Sequence, residues 1–358
     1  MSNSPDGIYE KGVIDPGLPV KRSTKSYWLT EPAAISKLQS PWLKSADIVI
    51  IGSGMTAASL AYKLYSLRSD LKIIIIEARD ICGGATGRNG GHVKPMSPGV
   101  WFDRKEQFGA QEAIRIMEYE HGHVDEIITC IRENDIACDF NLLQGLDIYY
   151  DPKAFQHALD AVEDMKKYAP DLGKRYTIYT AEKDLEARDC PKQCIGAIGT
   201  RAASMWPYKL VTAYGSKDYD YIMQRPDGAF IVGRANTGRR ASSDDSTVDW
   251  LPHVHLRTVT HQAFDFGTDQ VETTHAWSGA VGFIVDGNPF VGRLPFPGRD
   301  HQWVSAAYQG IGMVRAFRSA QGLAHLIIGE QLPSDFPRSM LLTESRLRAW
   351  EKEIKSKI

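Results

Sequence analysis

No charge of one sign dominates this chain. Its 358 residues carry 42 Lys and Arg against 44 Asp and Glu, a formal net charge of −2. That balance gives no basis for a nucleic-acid surface or for attraction to an anionic membrane, and neither partner is expected. Cysteine is scarce and unpatterned. Cys82, Cys130, Cys138, Cys190 and Cys194 are an odd number, without a second pair or histidines at ligand spacing. No metal site and no disulfide framework follows from them. Reduced thiols, and with them a cytoplasmic chain, are the expectation. No apolar run reaches the length of about 18 residues that a spanning helix needs, so none is expected. The opening MSNSPDGIYEKGVIDPG lacks the apolar centre of a secretory leader, and the terminal Lys357-Ile358 does not match a peroxisomal signal. No HExxH and no Ser-His-Asp order is present. The length allows one or two domains with an ample core.

What the chain does have is concentrated between Asp47 and Val93. An apolar run, Ile48 to Ile51, ends in Gly52-Ser53-Gly54-Met55-Thr56-Ala57. Ala57, Ala58, Leu60, Ala61 and Leu64 follow at helical spacing. A second apolar run, Ile73 to Ile76, closes on Glu77, with Ala78 and Arg79 after it. Strand, glycine turn, helix, strand, acid is the order of a dinucleotide-binding βαβ unit. Each residue type has a task there. Gly52 permits the sharp turn out of the strand. Gly54 has no Cβ, so a pyrophosphate can approach the backbone. Ala57 keeps helix and strand close. The helix N-terminus offers N–H groups and a positive dipole end. Glu77 is placed to accept from a ribose diol, which disfavours a 2′-phosphate. A bare GxGxxA is weak; two apolar runs and the acid strengthen it. The plainer alternative is a buried strand pair whose glycines serve packing alone.

The next ten residues, Gly83-Gly84-Ala85-Thr86-Gly87-Arg88-Asn89-Gly90-Gly91-His92, hold too much glycine for a helix or strand interior. Such a loop can lay its backbone along an extended cofactor. With this loop the sequence resembles the FAD-dependent oxidoreductases of the D-amino-acid oxidase class. The nearest likeness is to a fungal group with GATGRNGGH after the acid. A second block is similar to the family's C-terminal pattern: "WSG", "DGNPFVG" and "AAYQGIGM". The resemblance implies a Rossmann-like FAD-binding domain with a β-rich substrate domain, α/β in class and α+β overall. It implies FAD as cofactor and a small amine or amino acid as substrate, oxidised at a C–N bond by hydride transfer to flavin. It also implies that the cofactor lies on Gly52, Gly54, Met55, Thr56, Ala57, Glu77, Ala78, Arg79, Ala85, Thr86, Arg88, Asn89, Gly90, Gly91 and His92. Gly310, Gly312 and Met313 would reach it from the second block. Oligomeric state is left open.

Taken in order, residues 1–46 read as an extended lead-in pinned by Tyr27, Trp28 and Leu29. Residues 47–100 and 303–330 are expected to form the cofactor domain, 101–212 a helical and mixed insert with part of that domain, 219–302 the β-rich substrate domain and 331–358 a tail. Apolar spacing predicts a long helix over 103–134 and, from Asp151-Pro152, another to Lys167. One or two strands with a turn at Gly145 are expected over 139–150. A short strand over 175–180 precedes a short helix opening at Thr180-Ala181-Glu182-Lys183. Residues 251–264 have helical character, 272–279 and 286–292 read as strand-and-turn units, 303–307 as a strand and 314–328 as a helix ended by Gly329. Between "WPYKLVT" and "QRPDG" only a loop's length remains, where relatives carry more of the cofactor sheet; a βαβ unit needs about 30 residues. The sheet is therefore expected to be short of strands and to expose apolar surface, while the two halves of the domain join in one parallel sheet.

His92 and Lys94 are the catalytic candidates: a cation beside the flavin ring would assist oxygen reduction or stabilise the anionic ring. A plain loop contact is the alternative for His92. Arg88 and Asn89 read as cofactor contacts or loop braces. Cys82 is read as a small apolar residue, His121 and His123 as core or surface, and Arg225 and Arg234 as solvated unless they bind a carboxylate. Two other readings stand beside the oxidoreductase: a shortened, non-catalytic relative, favoured by the missing stretch, and an NAD-dependent dehydrogenase, which fits the fingerprint but not the glycine loop.

Overall fold

The computed structural model describes residues 22–33, 35–36, 40, 43–212, 221–224, 230–233, 245–248, 250–263 and 272–357. At its head the two isoleucine-rich runs form β1 (Ile48–Ile51) and β2 (Ile73–Ile76), parallel, with Ile48 opposite Ile73 and Ile51 opposite Ile76. Helix α1 (Met55–Leu67) connects them. Gly52 makes the turn out of β1 at φ +95°, a backbone conformation only glycine takes freely. The strand–turn–helix–strand order is as expected.

The middle of the chain builds the largest sheet among the described residues. β3 (His92–Val93), α2 (Trp101–Phe108), α3 (Ala110–Glu133), β4 (Asn141–Tyr149), α4 (Pro152–Tyr168), α5 (Pro170–Gly173), β5 (Thr177–Tyr179), α6 (Glu182–Glu186), β6 (Gly196–Ser204) and α7 (Pro207–Val211) follow in turn. β6 pairs antiparallel with β3, β4 and β5. Two expectations change here. The long helix is broken into α2 and α3 by Gly109, at φ +79°. Gly145 is no turn: it lies mid-strand in β4 opposite Thr200, and a Cβ on it would press on Lys94 and Ala202. Close packing, not a bend, selects glycine there. Helix α4 starts as read, with the Asp151 carboxylate accepting from the Ala154 N–H at 2.8 Å.

Downstream, β7 (Tyr221–Gln224) and β8 (Phe230–Gly233) form an antiparallel hairpin, followed by α8 (Trp250–Ala263). Residues 272–284, expected to begin with a strand, form neither strand nor helix. β9 (Phe290–Arg293) pairs antiparallel with β10 (Trp303–Ala306), and α9 (Ala316–Ile328) ends on Gly329 in the left-handed region. Helix α10 (Glu344–Lys357) closes the described chain. Residues 213–220 and 225–229, where the expected loop and the Arg225 turn fall, and 234–244 with Arg234, lie outside the described residues. The antiparallel sheet is thus built from 92–204, while the described part of 219–302 contributes a hairpin and one strand.

The two halves of the head domain meet, but not in one parallel sheet. β1 bonds only β2 and β10 bonds only β9 among the described strands. The junction is made by helices. Leu60 and Leu64 of α1 share a core cluster with Ala320, Leu323 and Ala324 of α9, Ile50 of β1 and Val291 of β9. The Ser59 hydroxyl donates to the Phe317 carbonyl at 2.8 Å. Each fully buried Leu, Ile or Val at such a junction contributes about 1.5–3 kcal/mol.

The expected apolar surface is present. Parallel strands are ordinarily covered on both faces, yet Ile51 is 89% exposed and Val49 52%, with Ile75 at 44%. Because Ile51 touches little, Ile51→Ser should change unfolding free energy by no more than about 0.5 kcal/mol while reducing self-association. Denaturant unfolding and light scattering measure the two quantities. A large loss of stability would mean that the face is covered.

Candidate functional site

The fingerprint turn, the glycine loop and the second glycine turn are brought together. Thr86 is the first link. Its Oγ1 accepts from the Met55 N–H, the first of α1, at 3.1 Å. A Cβ built on Gly54 would lie 2.8 Å from that oxygen. Ser53 is the second link: its N–H donates to Glu77 Oε2 at 2.9 Å, its hydroxyl donates to the same oxygen, and it accepts from the Cys82 N–H at 2.9 Å. The other Glu77 oxygen accepts from the Arg79 N–H. The acid at the end of β2 therefore braces the turn at the end of β1. Ser53, one of the unspecified positions of the motif, was not legible as this pivot; a hydroxyl two residues after the strand was its only signal.

The glycine loop is held from within and from the lead-in. Ala85–Arg88 make one 3-10 turn. Asn89 is fully buried; its Nδ2 donates to Thr86 O, its Oδ1 accepts from the Gly91 N–H at 2.7 Å, and its carbonyl accepts from Trp28 Nε1. Arg88 is also buried. Its guanidinium donates to Gly83 O, Thr24 O, Ser23 Oγ and Ser278 O and faces Asp245 at 3.4 Å. Both residues brace the loop in the fold. Arg79 is occupied by Asp245 as well, at 2.8 Å. Gly91, at φ +72°, backs onto the Met205 carbonyl with no room for a Cβ. Cys82 is buried, and burial pushes its thiol up; it is the small apolar residue expected.

The second glycine turn closes the site. Thr56 Oγ1 and Tyr308 Oη are 3.0 Å apart, and Tyr308 Oη lies 2.7 Å from Ser305 Oγ. This phenol, missed in the sequence, ties α1 to the end of β10. Burial pushes it up to about 12, so it stays protonated. Ala307, Gln309 and Gly310 all have φ between +60° and +75°. Two non-glycine residues in that region cost roughly 1–2 kcal/mol each, the kind of strain that collects at functional sites. Gly312–Val314 form a 3-10 turn. Met313 shares a core cluster with Met55 and Val93, which places the second glycine turn beside β3.

His92 and Lys94 flank Val93 on and just after β3. Burial first, then the Lys94 charge, push His92 down to about 4, so near neutrality it is an uncharged imidazole and not a cation. Lys94 Nζ pairs with Asp147 Oδ1 at 2.8 Å. The second Asp147 oxygen is buried and unpartnered. Behind this edge lies a buried charge cluster that the sequence did not reveal. Glu120 of α3 pairs with Arg104 of α2 at 2.7 Å and with Arg315, just past the second glycine turn, at 2.8 Å. His121 and His123 are buried, as the core reading had it, and no group of three metal-ligating side chains occurs among the described residues.

The arrangement fits a dinucleotide. Above Gly52, a Cβ would meet nothing within 4 Å, nor would one on Gly84. The turn after β1 therefore faces open space beside the helix N-terminus, where N–H groups have no intrahelical acceptor. Gly54→Val should abolish flavin retention, because the branched side chain drives into Thr86 and fills the approach to the backbone; Gly54→Ala should weaken it less. Flavin absorbance after gel filtration reads the difference. Full retention in the valine variant would remove Gly54 from the site.

Comparison with known proteins agrees with this geometry. Residues 47–217 match the DAO family, FAD dependent oxidoreductase; that stretch carries the FAD-dependent oxidoreductase domain expected from the resemblance. A Bacillus subtilis (strain 168) protein, YhfW, named for a Rieske 2Fe-2S iron–sulfur centre, is 24% identical over 120 residues. The match spans 34% of this chain and 23% of that protein's length. Among solved structures, L-amino acid deaminase from Proteus vulgaris superposes with a TM-score of 0.64 at 13% identity, covering 86% of this chain and 99% of its own. Glycine oxidase from Bacillus cereus gives 0.59 at 13%, covering 81% and 99%. L-proline dehydrogenase from P. horikoshii gives 0.57 at 14%, covering 84% and 98%. At these identities the likeness establishes the fold. No helix among the described residues is long and apolar enough to cross a membrane.

Proposed function

We propose that this chain is a FAD-dependent oxidoreductase that oxidises a C–N bond of a small amine or amino acid. The observation that carries the reading is the meeting of two glycine turns, 52–57 and 307–313, through Thr56 and Tyr308 at the end of β1. Bound FAD supplies the two-electron acceptor for a hydride leaving the carbon that bears nitrogen. Gly52, Gly54 and the α1 N-terminus would take the pyrophosphate. Thr86 sets the distance between that helix and the glycine loop. Arg88 and Asn89 keep the loop rigid, so that its backbone from Ala85 to His92 is pre-shaped. His92, uncharged, would offer a ring nitrogen to the substrate or the ring, and Lys94, held by Asp147, would add positive charge nearby. The similar folds include an L-amino acid deaminase and a glycine oxidase, which favours this substrate class.

The finer likeness, to a fungal group with the GATGRNGGH loop and an absent stretch between Thr212 and Tyr221, belongs to the same proposal. The exposed face of β1 and β2 favours a second reading as well: a shortened relative with a weakened or empty cofactor role. Anaerobic addition of amino acids and amines to the FAD-loaded chain separates them. Bleaching of the flavin band by an amino compound, and not by a hydroxy acid, supports the enzyme. A flavin that binds but is bleached by none defeats the C–N assignment, and a chain that takes up no FAD supports the shortened relative.

A further inference from the structure

We propose that Cys190 and Cys194 are a redox-active dithiol that closes to an intramolecular disulfide. Three of the five thiols, Cys82, Cys130 and Cys138, are buried, whereas Cys190 and Cys194 are half-buried. The segment Cys190-Pro191-Lys192-Gln193-Cys194 is folded back on itself. The Cys190 N–H donates to Leu185 O at 3.0 Å, and the Cys194 N–H donates to Pro191 O at 2.8 Å. Asp189, at φ +52°, turns the chain into this segment. Both side chains pack against the same small cluster of Tyr179, Leu185 and Ala197. Cys194 Sγ donates to the Gly196 carbonyl at 3.1 Å, which holds it at the start of β6. Two thiols four residues apart, on one turn and against one cluster, need only side-chain rotation and a small backbone shift to bond.

The oxidant is a low-molecular-weight disulfide. One cysteine thiolate attacks it, forming a mixed disulfide and releasing one small thiol. The second cysteine thiolate then attacks the mixed disulfide, forming the Cys190–Cys194 bond and releasing the second small thiol. Two electrons pass to the oxidant, and the protons lost from the two cysteines end on the two thiols released. Burial, followed by the Cys194 thiol, pushes Cys190 up to about 11. The reaction therefore quickens as pH rises towards that value, because the thiolate is the nucleophile.

The test uses the full chain, treated with oxidised glutathione near pH 8.5, blocked with a thiol reagent and cut with trypsin. Cleavage after Arg188, Lys192 and Arg201 puts the two cysteines on separate peptides. A disulfide-linked pair of peptides 189–192 and 193–201, lost on reduction, is the expected product. The thiol count in denaturant falls from five to three. Cys194→Ser, at a half-buried position, should fold normally and leave Cys190 as a glutathione adduct with no linked peptides. If both cysteines are alkylated as fully after oxidation as before, or if Cys130 and Cys138 are linked instead, the proposal is overturned.

Discussion

Replacing Glu120 with alanine should lower folding stability by about 3–5 kcal/mol, because it leaves two buried guanidinium groups without their counter-charge. Glu120 is 1% exposed. Arg315 bonds its Oε1 through Nε and Nη2 at 3.0 and 2.8 Å, and Arg104 bonds both oxygens at 2.7 and 3.1 Å. Burial pushes the Glu120 carboxyl up, but Arg104 and Arg315 outweigh it and hold the group below its ordinary value. The ionised carboxylate thus joins α2, α3 and the residue that follows the second glycine turn. Arg315 also donates to Gly287 O at 2.6 Å, so its displacement reaches the segment leading into β9. Denaturant unfolding of Glu120→Ala measures the loss. Replacing Glu120, Arg104 and Arg315 together by apolar residues of similar volume should recover most of it, since no buried charge remains. A single variant within about 1 kcal/mol of the parent would mean that water reaches the cluster.

Acid should unfold the chain earlier than carboxylate titration alone requires. His121 Nε2 lies 3.1 Å from Tyr176 Oη. Burial first, then Arg175, push His121 down to about 4. His123 is held neutral more firmly: burial and then Arg318 drive it well below its usual range. Its Nε2 accepts from the Arg318 N–H at 3.1 Å, and its Nδ1 faces Tyr119 O, so the ring proton sits on Nδ1. In the unfolded chain both imidazoles protonate below about pH 6.5. Below that pH the unfolded state binds more protons than the folded one, so stability is fully present above it and falls as pH drops. Each histidine removes about 2 kcal/mol between pH 7 and pH 5, roughly 4 kcal/mol together. Below pH 4 the His121 contribution levels off, as the folded state also takes up that proton. Glu120, with its lowered carboxyl, adds a loss in the same direction at lower pH. Unfolding free energy measured from pH 7 to pH 5 should show this slope. A flat profile over that interval would place both imidazoles in contact with solvent.

The elements read most clearly in the sequence were those whose residues answer to local rules. Ile48–Ile51 and Ile73–Ile76 alternate with a glycine turn and an amphipathic helix, and each was placed to the residue. Asp151-Pro152 and Gly329 mark helix ends through backbone preferences that need no tertiary context. The glycine stretch 83–92 was legible as a loop because ten residues with five glycines leave few alternatives. The failures share a different cause. Gly145 looked like a turn because the side chains of Lys94 and Ala202, which exclude a Cβ there, come from distant parts of the chain. Pairing β10 with β9 instead of with the head sheet is a choice among strands, and apolarity alone does not encode it. Ser53, Tyr308 and the Glu120 cluster are ordinary residues in sequence. Their roles appear only when partners such as Glu77, Thr56 and Arg315 arrive from elsewhere. Lys94 looked like a free cation for the same reason: Asp147 lies 53 positions away.

The central claim is that the two glycine turns enclose a flavin. The direct measurement is the FAD retained by the full chain after saturation with the cofactor and gel filtration. Stoichiometric FAD on the folded chain, with perturbed flavin fluorescence, is expected, as is loss of that FAD in Gly54→Val without loss of the folded circular dichroism spectrum. A folded, soluble parent chain that emerges without flavin would contradict it.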